Sequence, residues 1–177
     1  LGDEKFFGWL EENAASLIDG DVELRMDAIK RSCQIKAKIV ENDEREYGER
    51  ALLNLGHTFC HALEAVTNFS DILLHGEGVS IGCNLAFELS SRLGLCSQEV
   101  PSRVREHYHS INVATDIFQI NGFVGNAEQI YDSMAQDKKV LNGVIRFILA
   151  SDIGKAMVQE NIDKALVLEV LQQSLER

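Results

Sequence analysis

The chain of 177 residues carries 28 acidic and 17 basic side chains, a formal net charge of −11, which disfavours nucleic acid and anionic membrane surfaces as partners. An apolar fraction of 45% supplies the core of a single domain, and 25% charged residues suit a soluble surface. No apolar run approaches the roughly 20 residues of a spanning helix and no secretory signal opens the chain, so a cytoplasmic location is expected. Cys33, Cys60, Cys83 and Cys96 show no CxxC pairing and sit in apolar, helix-like stretches. They are predicted to be buried free thiols of a reducing compartment.

One proline and long stretches of helical periodicity predict a mainly α fold, a helical bundle with one short β hairpin. Asp3 to Ile18 reads as an amphipathic helix with Phe6, Phe7, Leu10 and Leu17 among its apolar positions, ended by Gly20. Asp21 is placed to cap a second helix running to about Asn42, with Leu24, Ala28, Cys33 and Ile35 available for burial. A charged turn over residues 41–49 precedes a helix expected from about Arg50 to Val66, and a loop then returns the chain to His75. Between Val79 and Ser91 the next helix carries a single charge, Glu88, which predicts the buried centre of the bundle. Gly94 ends it. Pro101 starts a helix whose last turns hold His107 and His109, expected on a solvated surface beside Arg103, Arg105 and Glu106. Asn126 caps a short helix to Gln136, Val144–Ala150 pairs with Lys155–Gln159 across an SDIG turn, and Asp163 caps a last helix to Glu176.

The stretch from Arg50 to Glu77, RALLNLGHTFCHALEAVTNFSDILLHGE, holds three of the five histidines. On a continuous helix Arg50, Asn54, His57 and His61 share one stripe, while Leu52, Leu55, Phe59, Ala62 and Val66 make an apolar one. A solvated face is usually filled with Glu, Lys and Gln. A guanidinium, an amide and two imidazoles instead suit the wall of a site for anions or metals. His57 and His61, one turn apart, can share an ion; His57 can equally pair with His75 across the loop. Catalytic zinc commonly takes three protein ligands, so either pair calls for another, typically a carboxylate.

The run from Lys36 through Asp43, Glu44, Glu46, Gly48 and Arg50 into LLNLGHTFCHALEA, then LHGEGVSIG and DKKVLNGVIRFIL, closely resembles the 3-dehydroquinate synthase family. The GHTxxHA and LHGE pairing is the specific part of the likeness. Members of that family convert 3-deoxy-D-arabino-heptulosonate 7-phosphate to 3-dehydroquinate and phosphate in the shikimate pathway, using NAD⁺ and a divalent metal, zinc or cobalt. The resemblance implies a helical metal- and substrate-binding domain spanning residues 1–177, the C-terminal part of a larger enzyme. It implies metal ligation by His57 and His75, catalytic roles for His61, Lys36 and Arg50, and substrate binding by Asn54 and one of Lys138 and Lys139. A carboxylate- and phosphate-bearing substrate needs several cationic donors, and Arg offers a fixed fork.

The family's third metal ligand, a glutamate in an AEVIKYG-like segment, and its NAD-binding domain with a Gly-rich loop are not found in these 177 residues. The implied partners are therefore a small sugar-phosphate substrate and an N-terminal NAD-binding domain, with a homo-oligomer left open. The chain alone is expected to show no synthase activity and negligible NAD⁺ binding. Cys60 stands where the family usually has glycine and is expected to pack. Other sugar-phosphate cyclases, glycerol dehydrogenase-type enzymes and a non-catalytic metal-binding helical module are the alternative readings.

Overall fold

The computed structural model describes residues 2–44, 48–136 and 144–176. Its elements are α1 (Glu4–Asp19), α2 (Val22–Asn42), a 3₁₀ helix (Glu49–Asn54), α3 (His57–Val66), α4 (His75–Arg92) and α5 (Glu99–Ser110). A second 3₁₀ helix (Ile117–Gln119), α6 (Ala127–Gln136), the strands β1 (Phe147–Asp152) and β2 (Lys155–Gln159), and α7 (Lys164–Glu176) complete the order. This is the mainly α architecture with one hairpin that the sequence pattern predicts.

Local chemistry accounts for the helix boundaries. Asp3, Asp21, Asn126 and Asp163 each accept a backbone N–H of the first turn, from Phe6, Leu24, Gln129 and Ala165 respectively, at 2.9–3.0 Å. Gly20 closes α1 in the left-handed region, and Arg25 donates from Nε and Nη2 to the carbonyls of Leu17 and Ile18 at 2.7 and 3.0 Å. The helical hairpin of α1 and α2 is held by stacking of the Arg31 guanidinium over Trp9, 4.5 Å from the ring centre. Arg103 of α5 ties α1 to the body through Nε and Nη2 bonds to the Glu11 carboxylate at 2.8 and 2.6 Å.

The core gathers on α4, which packs against α3, α5, α7 and β1. Ten of its residues are buried, among them Ile81, Leu85 and Leu89, and they meet Phe59 and Leu63 of α3, Leu149 of β1, and Val167 and Leu171 of α7. A helix apolar nearly all round has nowhere else to go. The hairpin lies on it: Ser90 accepts the Ala150 N–H at 3.0 Å, Phe147 to Ala150 are all buried, and Leu149 pairs with Met157 in an antiparallel register. Among the described residues no helix is long and apolar enough to cross a membrane.

Three expectations are corrected. The helix from Arg50 to Val66 is not continuous: a 3₁₀ helix ends at Asn54, Leu55 is extended, and Gly56 takes φ +80 before α3 begins. The cause is the approach of α4, since a Cβ on Gly56 would lie 2.7 Å from the carbonyl carbon of Gly82 and closer still to the amide nitrogen of Cys83. Backbone meets backbone there. His107 is buried, not solvated, because Phe7 of α1 packs on its ring with centroids 5.0 Å apart; His109 is exposed as expected. On α2, Leu24, Ala28 and Ile35 are only half-buried and Cys33 is exposed, since α2 packs against α1 and the 3₁₀ helix and contributes nothing to the core around α4. All four thiols are free, as expected, but of the four Cys60 alone is fully buried, with Cys83 and Cys96 half-buried.

Candidate functional site

His57 and His75 are the first residues of α3 and α4, so each ring projects from the first turn of its helix. In the HGE run, Glu77 reaches back to accept the Leu74 N–H at 3.0 Å and so caps the turn that presents His75. His61 follows one turn after His57 on α3. The three imidazoles converge, with ring centres 5.6 Å apart for His57 and His61, 5.7 Å for His57 and His75, and 6.4 Å for His61 and His75. Ring spacing alone therefore favours neither pair.

The break at Gly56 shapes the site. With Leu55 turned out of helical geometry, its carbonyl oxygen lies 3.3 Å from His57 Nδ1 and also accepts the Cys83 thiol at 3.4 Å. An Nδ1–H given to that carbonyl makes Nε2 the lone-pair nitrogen of His57. His75 Nδ1 lies 2.8 Å from Glu64 Oε1, which selects the same tautomer. Two neutral imidazoles, each with Nδ1 committed to an acceptor and Nε2 as the donor atom, are a chemically suitable pair for a zinc-like cation.

Glu64 is the residue that the sequence reading missed. A signal was present: it falls three residues after His61 and seven after His57, on their face of α3. The ligand atoms of Cys60, Glu64 and His75 also lie within 4.8 Å of one another. Burial, and secondly the Glu64 carboxylate, push the Cys60 thiol up to about 12, so it stays a neutral S–H that reaches the His75 carbonyl oxygen at 3.7 Å. That is the packing role expected of it.

Of the other candidates, Arg50 is half-buried on the 3₁₀ helix; its N–H donates to Asp43 Oδ2 at 3.1 Å and its Nη1 to the Glu44 carbonyl at 2.7 Å. Asn54 Nδ2 donates to the Ala51 carbonyl at 3.2 Å, at the end of the same segment. Lys36 is exposed on α2, which packs along that 3₁₀ helix. Lys138 and Lys139 lie outside the described residues. A cavity of about 210 Å³, with Leu53, Leu55, His57, Val79 and Tyr108 in its wall, gives His57 an apolar backing.

Comparison with known proteins identifies the family of the chain. The family model for the 3-dehydroquinate synthase C-terminal domain matches residues 1–140. A 3-dehydroquinate synthase of Ruegeria sp. (strain TM1040) is 61% identical over 175 residues, covering 99% of this chain and 47% of the relative. One from Ruegeria pomeroyi is 58% identical with the same coverage. The chain thus spans about half the length of the curated relatives it matches. Among solved structures, 2-epi-5-epi-valiolone synthase from Streptomyces hygroscopicus subsp. jinggangensis 5008, with NAD⁺ and Zn²⁺ bound, superposes with a TM-score of 0.84 at 21% identity. That match covers 99% of this chain and 48% of the other. A 2-deoxy-scyllo-inosose synthase complexed with carbaglucose-6-phosphate, NAD⁺ and Co²⁺ gives 0.68 at 22% identity, over 80% of this chain and 40% of the other. At those identities the likeness is one of fold.

Proposed function

The chain belongs to the 3-dehydroquinate synthase C-terminal family, and from that premise we propose that it is the metal- and substrate-binding domain, residues 1–177, of a 3-dehydroquinate synthase. The enzyme would convert 3-deoxy-D-arabino-heptulosonate 7-phosphate to 3-dehydroquinate and phosphate, with NAD⁺ held by the part of the relatives' length that this chain does not match. Identities of 53–61% to relatives of that name, against 21–22% to the two other cyclases, favour this reaction over cyclisation of another sugar phosphate. The observation that carries the reading is the convergence of His57, His61 and His75 with Nδ1 of His57 and His75 already engaged.

In this reading His57 and His75 hold the divalent metal, zinc or cobalt, through Nε2. The metal supplies a Lewis acid at the carbon–oxygen bond to be oxidised and a template for the substrate hydroxyls. His61, one turn or about 5.4 Å further along α3, serves the other end of the sugar, donating from its ring to the departing phosphate oxygen. Asn54 and one of Lys138 and Lys139 add neutral and cationic donors to that phosphate, and Arg50 offers a bidentate fork to an anionic group of the substrate. Lys36 supplies a further cation from α2.

The test replaces each histidine by alanine in a full-length protein that includes the upstream half. His57→Ala and His75→Ala are expected to lose the metal, and His61→Ala to keep it while losing turnover. Release of metal by His61→Ala together with retention by His75→Ala would overturn the assignment.

A further inference from the structure

Glu64 has no task in the assignment above. Its Oε1 nevertheless meets His75 Nδ1 at 2.8 Å, joining α3 to α4 across the loop that separates them in sequence. The carboxylate side chain is 15% exposed and the imidazole 59% exposed. The acceptor is thus held inside the wall while the ring faces outward. Cys60, one turn before Glu64, pins the same residue from behind by giving its S–H to the His75 carbonyl oxygen at 3.7 Å. Its sulfur is also 3.7 Å from Nδ1, but the carboxylate is nearer by almost an ångström and is the stronger acceptor.

We propose that Glu64 is the positioning residue of His75. It takes the Nδ1 proton in a hydrogen bond, holds the ring as the Nδ1–H tautomer, and turns the Nε2 lone pair outward as the ligating atom. The inference rests on the reading of His75 as a metal ligand. It makes the two histidines unequal. His57 is oriented by a neutral backbone carbonyl, which no side-chain substitution can remove. His75 is oriented by a carboxylate, whose negative charge also adds to the attraction felt by a cation one ring away. It further excludes Cys60, Glu64 and His75 Nδ1 from serving together as a metal site, because Nδ1 is spent on its hydrogen bond.

The experiment records long-range ¹H–¹⁵N spectra of a full-length protein that includes the upstream half, labelled at histidine nitrogen, without metal and during titration with Zn²⁺ alone. Zn²⁺ affinity is measured in parallel by competition with a chromogenic chelator. In the wild-type chain neutral His75 is expected as the Nδ1–H form, with Zn²⁺ shifting the Nε2 resonance. Glu64→Gln, whose amide oxygen still accepts, should keep that tautomer and bind Zn²⁺ only a few-fold more weakly, short of the roughly 10- to 100-fold loss on removing an outer-shell partner. Glu64→Leu should move His75 toward the Nε2–H form and lose about 10- to 100-fold in Zn²⁺ affinity. A purely structural role would leave the tautomer unmoved in folded Glu64→Gln and Glu64→Leu alike. An Nε2–H tautomer in the wild-type chain, a Zn²⁺ shift at Nδ1, or undiminished affinity in Glu64→Leu would overturn the proposal. Undiminished affinity in His75→Ala would overturn the metal reading beneath it, which the tautomer spectra test separately from Glu64.

Discussion

Gly56→Ala tests whether the contact between α3 and α4 is as close as the structure has it. Gly56 sits at φ +80, and a methyl there would lie 2.7 Å from the Gly82 carbonyl carbon and 2.9 Å from the Cys83 Cα, where ordinary contact starts at 3.4 Å. The obstacle is helix backbone, which cannot rotate away, so α4 would have to withdraw by roughly 1 Å from a close-packed core. A left-handed conformation costs a residue with a Cβ about 1–2 kcal/mol. Overpacking of this kind adds about 1–3 kcal/mol. The expected loss, roughly 2–5 kcal/mol, is a large share of a typical folding free energy of about 5–15 kcal/mol. For a chain of this size it lowers Tm by about 4–20 °C. Gly76→Ala is the control, since nothing lies within 4 Å of a Cβ there and alanine is favoured over glycine in a helix by about 0.5–1 kcal/mol. Urea unfolding followed by circular dichroism should show a lower midpoint with unchanged slope for Gly56→Ala and no loss for Gly76→Ala. Equal midpoints for Gly56→Ala and the wild type would refute the argument.

Burial keeps the His107 imidazole below its ordinary proton affinity, and Nδ1 has no hydrogen-bond partner among the described residues. The unfolded chain binds that proton near pH 6.5, so the neutral-ring contribution is complete above that value and is lost as pH falls below it toward the folded pKa. His107→Phe should flatten part of the decline in urea midpoint between roughly pH 7 and 5, and an identical decline in both proteins would refute this. Cys33 is exposed, while Cys60 and Cys83 are held as thiols at about 12 and about 11, chiefly by burial. A disulfide reagent at neutral pH should therefore label Cys33 first, leaving Cys60 until the protein is unfolded; prompt labelling of Cys60 would contradict its burial.

Much of the architecture is a local matter and was legible without coordinates. Asp3, Asp21, Asn126 and Asp163 bond to N–H groups two or three residues away, so the sequence alone specifies where four helices begin. The single charge, Glu88, between Val79 and Ser91 marks α4 as the buried element, because a helix with almost no polar face has to be enclosed. Placing His57 and His61 on one face needs only helical periodicity.

The tertiary structure decided the rest, where distant segments meet. Helical periodicity runs straight through Gly56; only the arrival of α4 breaks the chain there and aims the Leu55 carbonyl at His57. His107 follows two arginines and a glutamate, as a surface residue would, and it is Phe7 from α1 that covers it. Cys33 is in solvent because its helix packs on one side only, and its neighbours Arg31, Ser32, Gln34 and Lys36 already carried the polar signal that the prediction of a buried thiol passed over. Glu64 and His75, eleven residues apart, are joined because the loop over 67–74 folds α4 back onto α3. Caps and periodicity are carried by the covalent neighbourhood of each residue. Which faces are covered, and which side chains share a hydrogen bond, depends on how the finished helices pack, and that arrangement has no local signature.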